Sequence, residues 1–211
     1  MKYYRHNWYN VGGVIFAALS FVIGYWRTDF SLVQVVFIYS FMALLVHQFE
    51  EYAYPGGFPA IFNADVFGER EVPDRYPLNA NQCLITNVFL AYPFYLAAIC
   101  WPRVIWLGSA VVLFGMLQFI VHGLVINVRR KSFYNPGLAT VMFLFLPIGV
   151  YYFWYVTASK LATTGDIIAG SALAIVAGFI TVALPLWLLA DRDSKYPFTD
   201  AEMRRKTPRQ T

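Results

Sequence analysis

The chain has 211 residues, of which 59% are hydrophobic, 19% aromatic and only 13% charged. Soluble domains carry about a quarter charged residues, so this composition excludes an ordinary water-soluble globule and indicates an integral membrane protein. Net charge is +4, and the pI near 9.0 is read as membrane topology rather than as a nucleic-acid footprint; no nucleic-acid partner is expected.

The opening "MKYYRHNWYN" is polar and aromatic and is read as carrying no cleavable signal. Apolar segments then follow at about 10–26, 31–51, 81–101, 104–128, 138–157 and 166–190. Each approaches the ~20 residues that cross a ~30 Å hydrocarbon core as a helix. The breaks are chemical. Arg27-Thr28-Asp29 is a polar turn, Pro102-Arg103 separates spans three and four, and "RRKSFYNPG" and "SKLATTGD" separate the later pairs. Trp8, Trp26, Trp101, Trp106, Trp154 and Trp187 fall near span ends, where interfacial rings belong. Pro147 and Pro185 lie inside spans, where neighbouring helices can satisfy the freed carbonyls.

Six spans put both termini on one side. Of the 16 Lys and Arg, only Arg27, Arg103 and Lys160 fall on the opposite side. The bias predicts an all-α polytopic bundle with N-terminus and C-terminus in the cytoplasm, in a bacterial inner membrane. Residues 1–190 form the membrane domain, with a cytoplasmic loop at about 52–80. Residues 191–211 form a basic cytoplasmic tail, lying against anionic lipid or solvated, in which Thr199 to Glu202 fits a capping box. Cys83 and Cys100 share one span and suggest neither a disulfide framework nor a metal-binding pair.

Chemistry concentrates at one membrane face. Span two runs uncharged from Ser31 to Val46 and then places His47, Glu50 and Glu51 in "HQFEE". At ~100° per residue the glutamates lie about 60° and 40° either side of His47, and ~4–6 Å along the axis from it. Span four brings Gln118, His122 and Arg129 to one face near the same end, with Asn127 pointing elsewhere. Span three carries Asn81 and Asn87 in its first turns, and span five opens with "YNPGLAT". Spans one and six offer almost nothing of the kind. Ionisable groups in a membrane are costly and normally face a bundle interior or water. The alternatives are headgroup-solvated glutamates at a helix end and a structural hydrogen bond for His122. The apolar stretch from Phe58 to Phe67 either caps the pocket or lies flat as a surface loop.

"HQFEE", together with the later Val-His at His122 and the "NPG" turn reaching Thr140, resembles the HXXEE family of small membrane proteins, over about Val36 to Pro147. The resemblance implies an enzymatic and metal-dependent role without naming a substrate.

Three chemistries fit these residues. In the first, His47, His122 and one of Glu50 or Glu51 bind zinc or iron with an open water position. The second glutamate then acts as general base, Asn87 or Asn127 orients a ligand or holds an oxyanion, and Arg129 clamps a headgroup phosphate. In the second, a metal-free His/Glu pair performs acid–base isomerisation or cyclisation of an isoprenoid or sterol-like lipid. The third is a binding or transport protein with a proton-coupled site. The metal-dependent, hydrolase-like reading leads, with a lipid or amphiphile reaching it from the cytoplasmic leaflet.

Overall fold

The computed structural model describes residues 1–204. Six helices are long and apolar enough to cross a membrane: Trp8–Asp29, Leu32–Tyr52, Ala80–Cys100, Ile105–Arg130, Leu138–Ala158 and Thr164–Leu189. They agree with the predicted spans to within a few residues at each end, and no strand forms among the described residues. Their starts have local causes. Ser31 Oγ accepts from Gln34 N at 3.2 Å, ahead of span two. Asn79 with Gln82 and Thr163 with Asp166 form capping boxes at spans three and six.

Span two is the central helix. Within its apolar window 72% of residues are buried, against 22% for spans one and six and 33–44% for the others. The motif-bearing helix is therefore the one surrounded by its neighbours. Small residues let those neighbours approach. A Cβ on Gly115 would meet the Phe145 ring, and one on Gly170 would lie 2.6 Å from Ser109 Cβ.

Spans three to six each contain a stretch of π-helix, at Ile85–Ala91, Phe119–Ile126, Val141–Phe145 and Phe179–Ala183. In three of them a proline follows within two residues: Pro93, Pro147 and Pro185. Proline has no N–H and its ring crowds the carbonyl four residues back, so a widened turn before it relieves the clash. Span four widens without a proline, around His122.

The end carrying both termini is closed by three segments docked together. Tyr196 O accepts from Ala80 N at 3.0 Å and Asp74 O from Phe198 N at 2.7 Å. The Arg5 guanidinium lies 4.2 Å from the Tyr196 ring centroid, and His6 Nδ1 is 2.9 Å from the buried Glu202 carboxylate. Thr199 and Glu202 make the expected capping box. Residues 196–203 of the tail are thus packed on the N-terminal segment and on the loop between spans two and three. Arg205, Lys206 and Arg209 of the predicted basic tail lie outside the described residues.

Arg192 ties this cap to the loop. It reaches Glu69 at 2.6 Å and Glu71 at 3.0 Å, and its guanidinium lies 4.6 Å from the Tyr76 ring centroid. The Glu69 carboxyl is held below the usual carboxylate range, first by the N–H of Glu71, then by that of Val72 and by Arg192. A depressed carboxyl stabilises the fold above its ordinary pKa and loses that contribution as pH falls through the depressed value. Amide exchange of residues 192–198 relative to the intrinsic rate at each pH, read by mass spectrometry, is expected to stay slow from pH 7 to 5 and to accelerate below about pH 4. Glu69→Gln is expected to accelerate it already at pH 7.

Candidate metal centre

The centre is built by span two, span four and the turn that opens span five. His47 and His122 are 3% and 1% exposed and Glu51 is 5% exposed. Glu51 Oε1 lies 3.7 Å from His47 Nε2 and 3.3 Å from His122 Nε2. The imidazoles stand edge to face, with centroids 4.8 Å apart. One ligand atom from each of the three residues lies within 4.8 Å of the others, so the group could hold a metal ion.

The turn Asn135-Pro136-Gly137 sets both rings. Asn135 Nδ2 donates to His122 O at 2.7 Å and to Asn127 Oδ1 at 2.8 Å. Its Oδ1 is therefore the atom facing His122 Nδ1 at 2.7 Å, and the imidazole donates there. His47 Nδ1 faces Gly137 O at 3.2 Å; a carbonyl only accepts, so this nitrogen also carries its proton. With both Nδ1–H groups engaged, both Nε2 atoms turn to Glu51. Outer hydrogen bonds of this kind orient histidine ligands in metal sites.

Gly137 has φ +103°, in the region that favours glycine. A Cβ there would lie 2.7 Å from His122 Nδ1 and 2.8 Å from His47 Cε1, so the backbone approaches both imidazoles this closely only because it has no side chain. As the residue preceding span five, Gly137 offers no capping oxygen. Glu50 supplies one from span two: its carboxylate accepts from Tyr134 Oη at 2.8 Å, Ala139 N at 3.1 Å, Thr140 N at 2.8 Å and Thr140 Oγ1. An anion at a helix N-terminus is favourable both by hydrogen bonding and by the helix dipole.

The residues named from the sequence thus divide. His47, Glu51 and His122 come together. Glu50, expected as ligand or base, is engaged by four donors as the cap of span five and is not in the His/Glu group. Asn87 lines the adjoining cavity, where its Oδ1 accepts from Gln48 Nε2 at 3.2 Å. Asn127 does not line that cavity and instead holds Asn135. Arg129 is exposed and outside the cavity lining; its neighbour Arg130 pairs with Asp65 at 2.9 Å. His122 bonds to Asn135 rather than to Gln118. Asn135 and Gly137, absent from the predicted site, have their signal in the "NPG" turn beside a histidine motif.

The cavity beside the centre has a volume of about 110 Å³. His47, Glu51 and His122 form its polar wall, and Phe58, Phe62 and Leu78 from the loop close one side, so the loop does cap the pocket. Phe58 lies 5.6 Å from the His122 ring and Phe145 lies 5.5 Å from that of His47. Span six, expected to offer almost no polar residue here, supplies Thr181 together with the apolar Val182, Pro185 and Leu186.

The two glutamates are expected to respond differently to the same change. Glu50→Gln turns an acceptor into a donor opposite N–H groups and should lower stability by ~1–3 kcal/mol, read as an earlier thermal unfolding transition in detergent. Glu51→Gln keeps the side-chain volume and removes no bond to a backbone N–H, so it should shift that transition less than Glu50→Gln does in metal-free protein. Gly137→Ala should cost at least ~1–3 kcal/mol from backbone strain alone.

Residues 38–152 match the model of a family described as protein of unknown function with HXXEE motif. No curated protein and no solved structure matches the chain. The matched region spans the motif helix, His122 and the turn that orients both imidazoles, and the chain belongs to this HXXEE family.

Proposed function

We propose that the chain is a metal-dependent enzyme of hydrolase type, embedded in the bacterial inner membrane, that acts on a lipid or amphiphile at the cytoplasmic leaflet. The observation that carries this reading is the convergence of three lone-pair-bearing atoms. With both Nδ1–H groups engaged, two imidazole Nε2 atoms and a carboxylate oxygen face one another across 3.3 and 3.7 Å. Like partial charges buried this close are favourable only with a positive charge between them, which a bound metal ion would supply. Ligand atoms in a tetrahedral zinc site with bonds of ~2.0 Å are themselves about 3.3 Å apart.

Two nitrogens and one carboxylate suit zinc with a water in the fourth position, or iron(II). Such an ion lowers the pKa of bound water to ~7 and polarises a carbonyl. His47 and His122 would hold it, each oriented by its own Nδ1–H bond. Glu51 is the carboxylate of the group: Oε1 would hold the ion beside the two Nε2 atoms, and its other oxygen would be the base for the attacking water. Asn87, on the cavity wall, donates one N–H to Cys83 O at 3.0 Å, and its second N–H would serve a developing oxyanion. The membrane setting rests on the six apolar helices, and the orientation on the Lys and Arg distribution.

One observation favours a second reading. The 3.3 Å separation of His122 Nε2 from Glu51 Oε1 also admits a proton between them, which would make the pair an acid–base couple for lipid isomerisation. Elemental analysis of protein purified without chelator separates the two. The metal reading expects about one zinc or iron per chain, lost in His47→Ala, His122→Ala and Glu51→Gln and kept in Arg129→Ala. A folded, metal-free wild type that takes up neither zinc nor iron(II) would contradict it and favour the acid–base couple.

A further inference from the structure

The cavity wall reaches the outer surface of the bundle beside span six, at Val182. Spans four and six pack tightly through the halves remote from the centre, where a Cβ on Gly170 would stand 2.8 Å from Trp106 O. No comparable packing among the described residues joins Phe119–Ile126 of span four to Leu184–Leu189 of span six. The widened turn at Phe179–Ala183 and Pro185 lie where the two helices part. Gln118 and Val121 wall the cavity on one side of this gap, Val182 and Leu186 on the other. Val182 is at once cavity wall and outer surface, being 43% exposed. The mouth therefore faces hydrocarbon.

The wall is also selective in charge. Among the described residues no Lys or Arg lines the cavity; the uncharged polar groups are those of Gln82, Thr86, Asn87, Gln118 and Thr181. Gln118 stands at the mouth, and its amide bonds to no described residue. A phosphate head would find no cationic side chain on this wall and only the ion of the proposed centre, already partly neutralised by Glu51, to balance it. A hydroxyl or carbonyl finds the Gln118 amide, whereas Gln82 is engaged by Pro185 O and Asn79 N. The volume of about 110 Å³ holds several waters, and so a compact head, but not an acyl chain.

We propose that the substrate is a single-chain amphiphile with a compact, uncharged, carbonyl-bearing head, of the fatty-acyl glycerol ester type. It reaches the centre between spans four and six and leaves its chain in the membrane. This rests on the hydrolase reading of the His/Glu centre. Hydrolysis would break the acyl C–O bond; the water oxygen goes to the acyl carbon and a water proton to the alcohol oxygen, so no further reactant is needed.

The test uses the full chain in phosphatidylcholine vesicles. A monoacylglycerol with a photoreactive diazirine in its chain is compared with a lysophosphatidate of the same chain. The monoacylglycerol is expected to label the 118–125 and 181–186 peptides about tenfold more than the lysophosphatidate. Val182→Trp should cut that labelling by a similar factor with metal content unchanged. Val176→Trp, on an equally exposed position of span six, should leave it intact. Val182→Phe stands in if the Val182→Trp protein is not monodisperse. Equal labelling by both probes, or labelling indifferent to bulk at 182, overturns the proposal. Metal present with no labelling sinks the route alone. Labelling without any metal keeps the route and sinks the hydrolase reading.

Discussion

Glu51 Oε1 faces two imidazole Nε2 atoms across 3.3 and 3.7 Å inside an apolar bundle, and the rest of the structure is arranged around keeping them there. A carboxylate and two imidazoles stay this close in a low-dielectric interior only when a proton or a metal ion offsets the carboxylate charge and other groups hold the rings in place. The holding falls to the turn before span five. Asn135 fixes one imidazole, Gly137 O fixes the other, and Gly137 has no side chain because the two rings leave no room for one. That glycine leaves span five without a capping side chain of its own, and Glu50 makes good the deficit from the neighbouring helix. The two adjacent glutamates of the motif thus do unlike work. One faces the centre, and the other secures the turn that aims the imidazoles.

This arrangement explains why the motif lies on the most buried helix. A centre at the rim of the bundle would lose its orienting partners to water. At the end of span two it is boxed by Phe58 and Phe145 and flanked by four helices that each widen at its level. Widened turns free carbonyls and displace side chains from α-helical register, and they occur often at functional sites. Here they bring Asn87, His122, Phe145 and Thr181 to the centre or its cavity. The cost in backbone hydrogen bonds is local, and the prolines at 93, 147 and 185 fix where three of the widenings fall.

Much of this was legible in the sequence. Span positions follow from apolar length and polar breaks, and the polar layer from the placement of His47, Glu51, His122 and Asn87 near one membrane face. What the sequence could not decide was the division between Glu50 and Glu51. Both straddle His47 on a helical wheel, and only the docking of span five determines which one meets N–H groups. Arg129 was misjudged for a related reason. The widened turn around His122 shifts the register beyond it, so an i+7 relation no longer implies a shared face. The part played by span six was hidden because it lines the cavity with Thr181, Val182, Pro185 and Leu186, none of which is ionisable.

The measurement that tests the central claim most directly is the ¹⁵N spectrum of histidine side chains in protein labelled at its three histidines, assigned with His6→Ala, His47→Ala and His122→Ala. The account predicts a protonated Nδ1 in both His47 and His122, and a change confined to Nε2 when zinc is added. A bare Nδ1 in either imidazole, or zinc shifting Nδ1 instead, would contradict the claim that the Asn135–Gly137 turn presents two Nε2 lone pairs to Glu51.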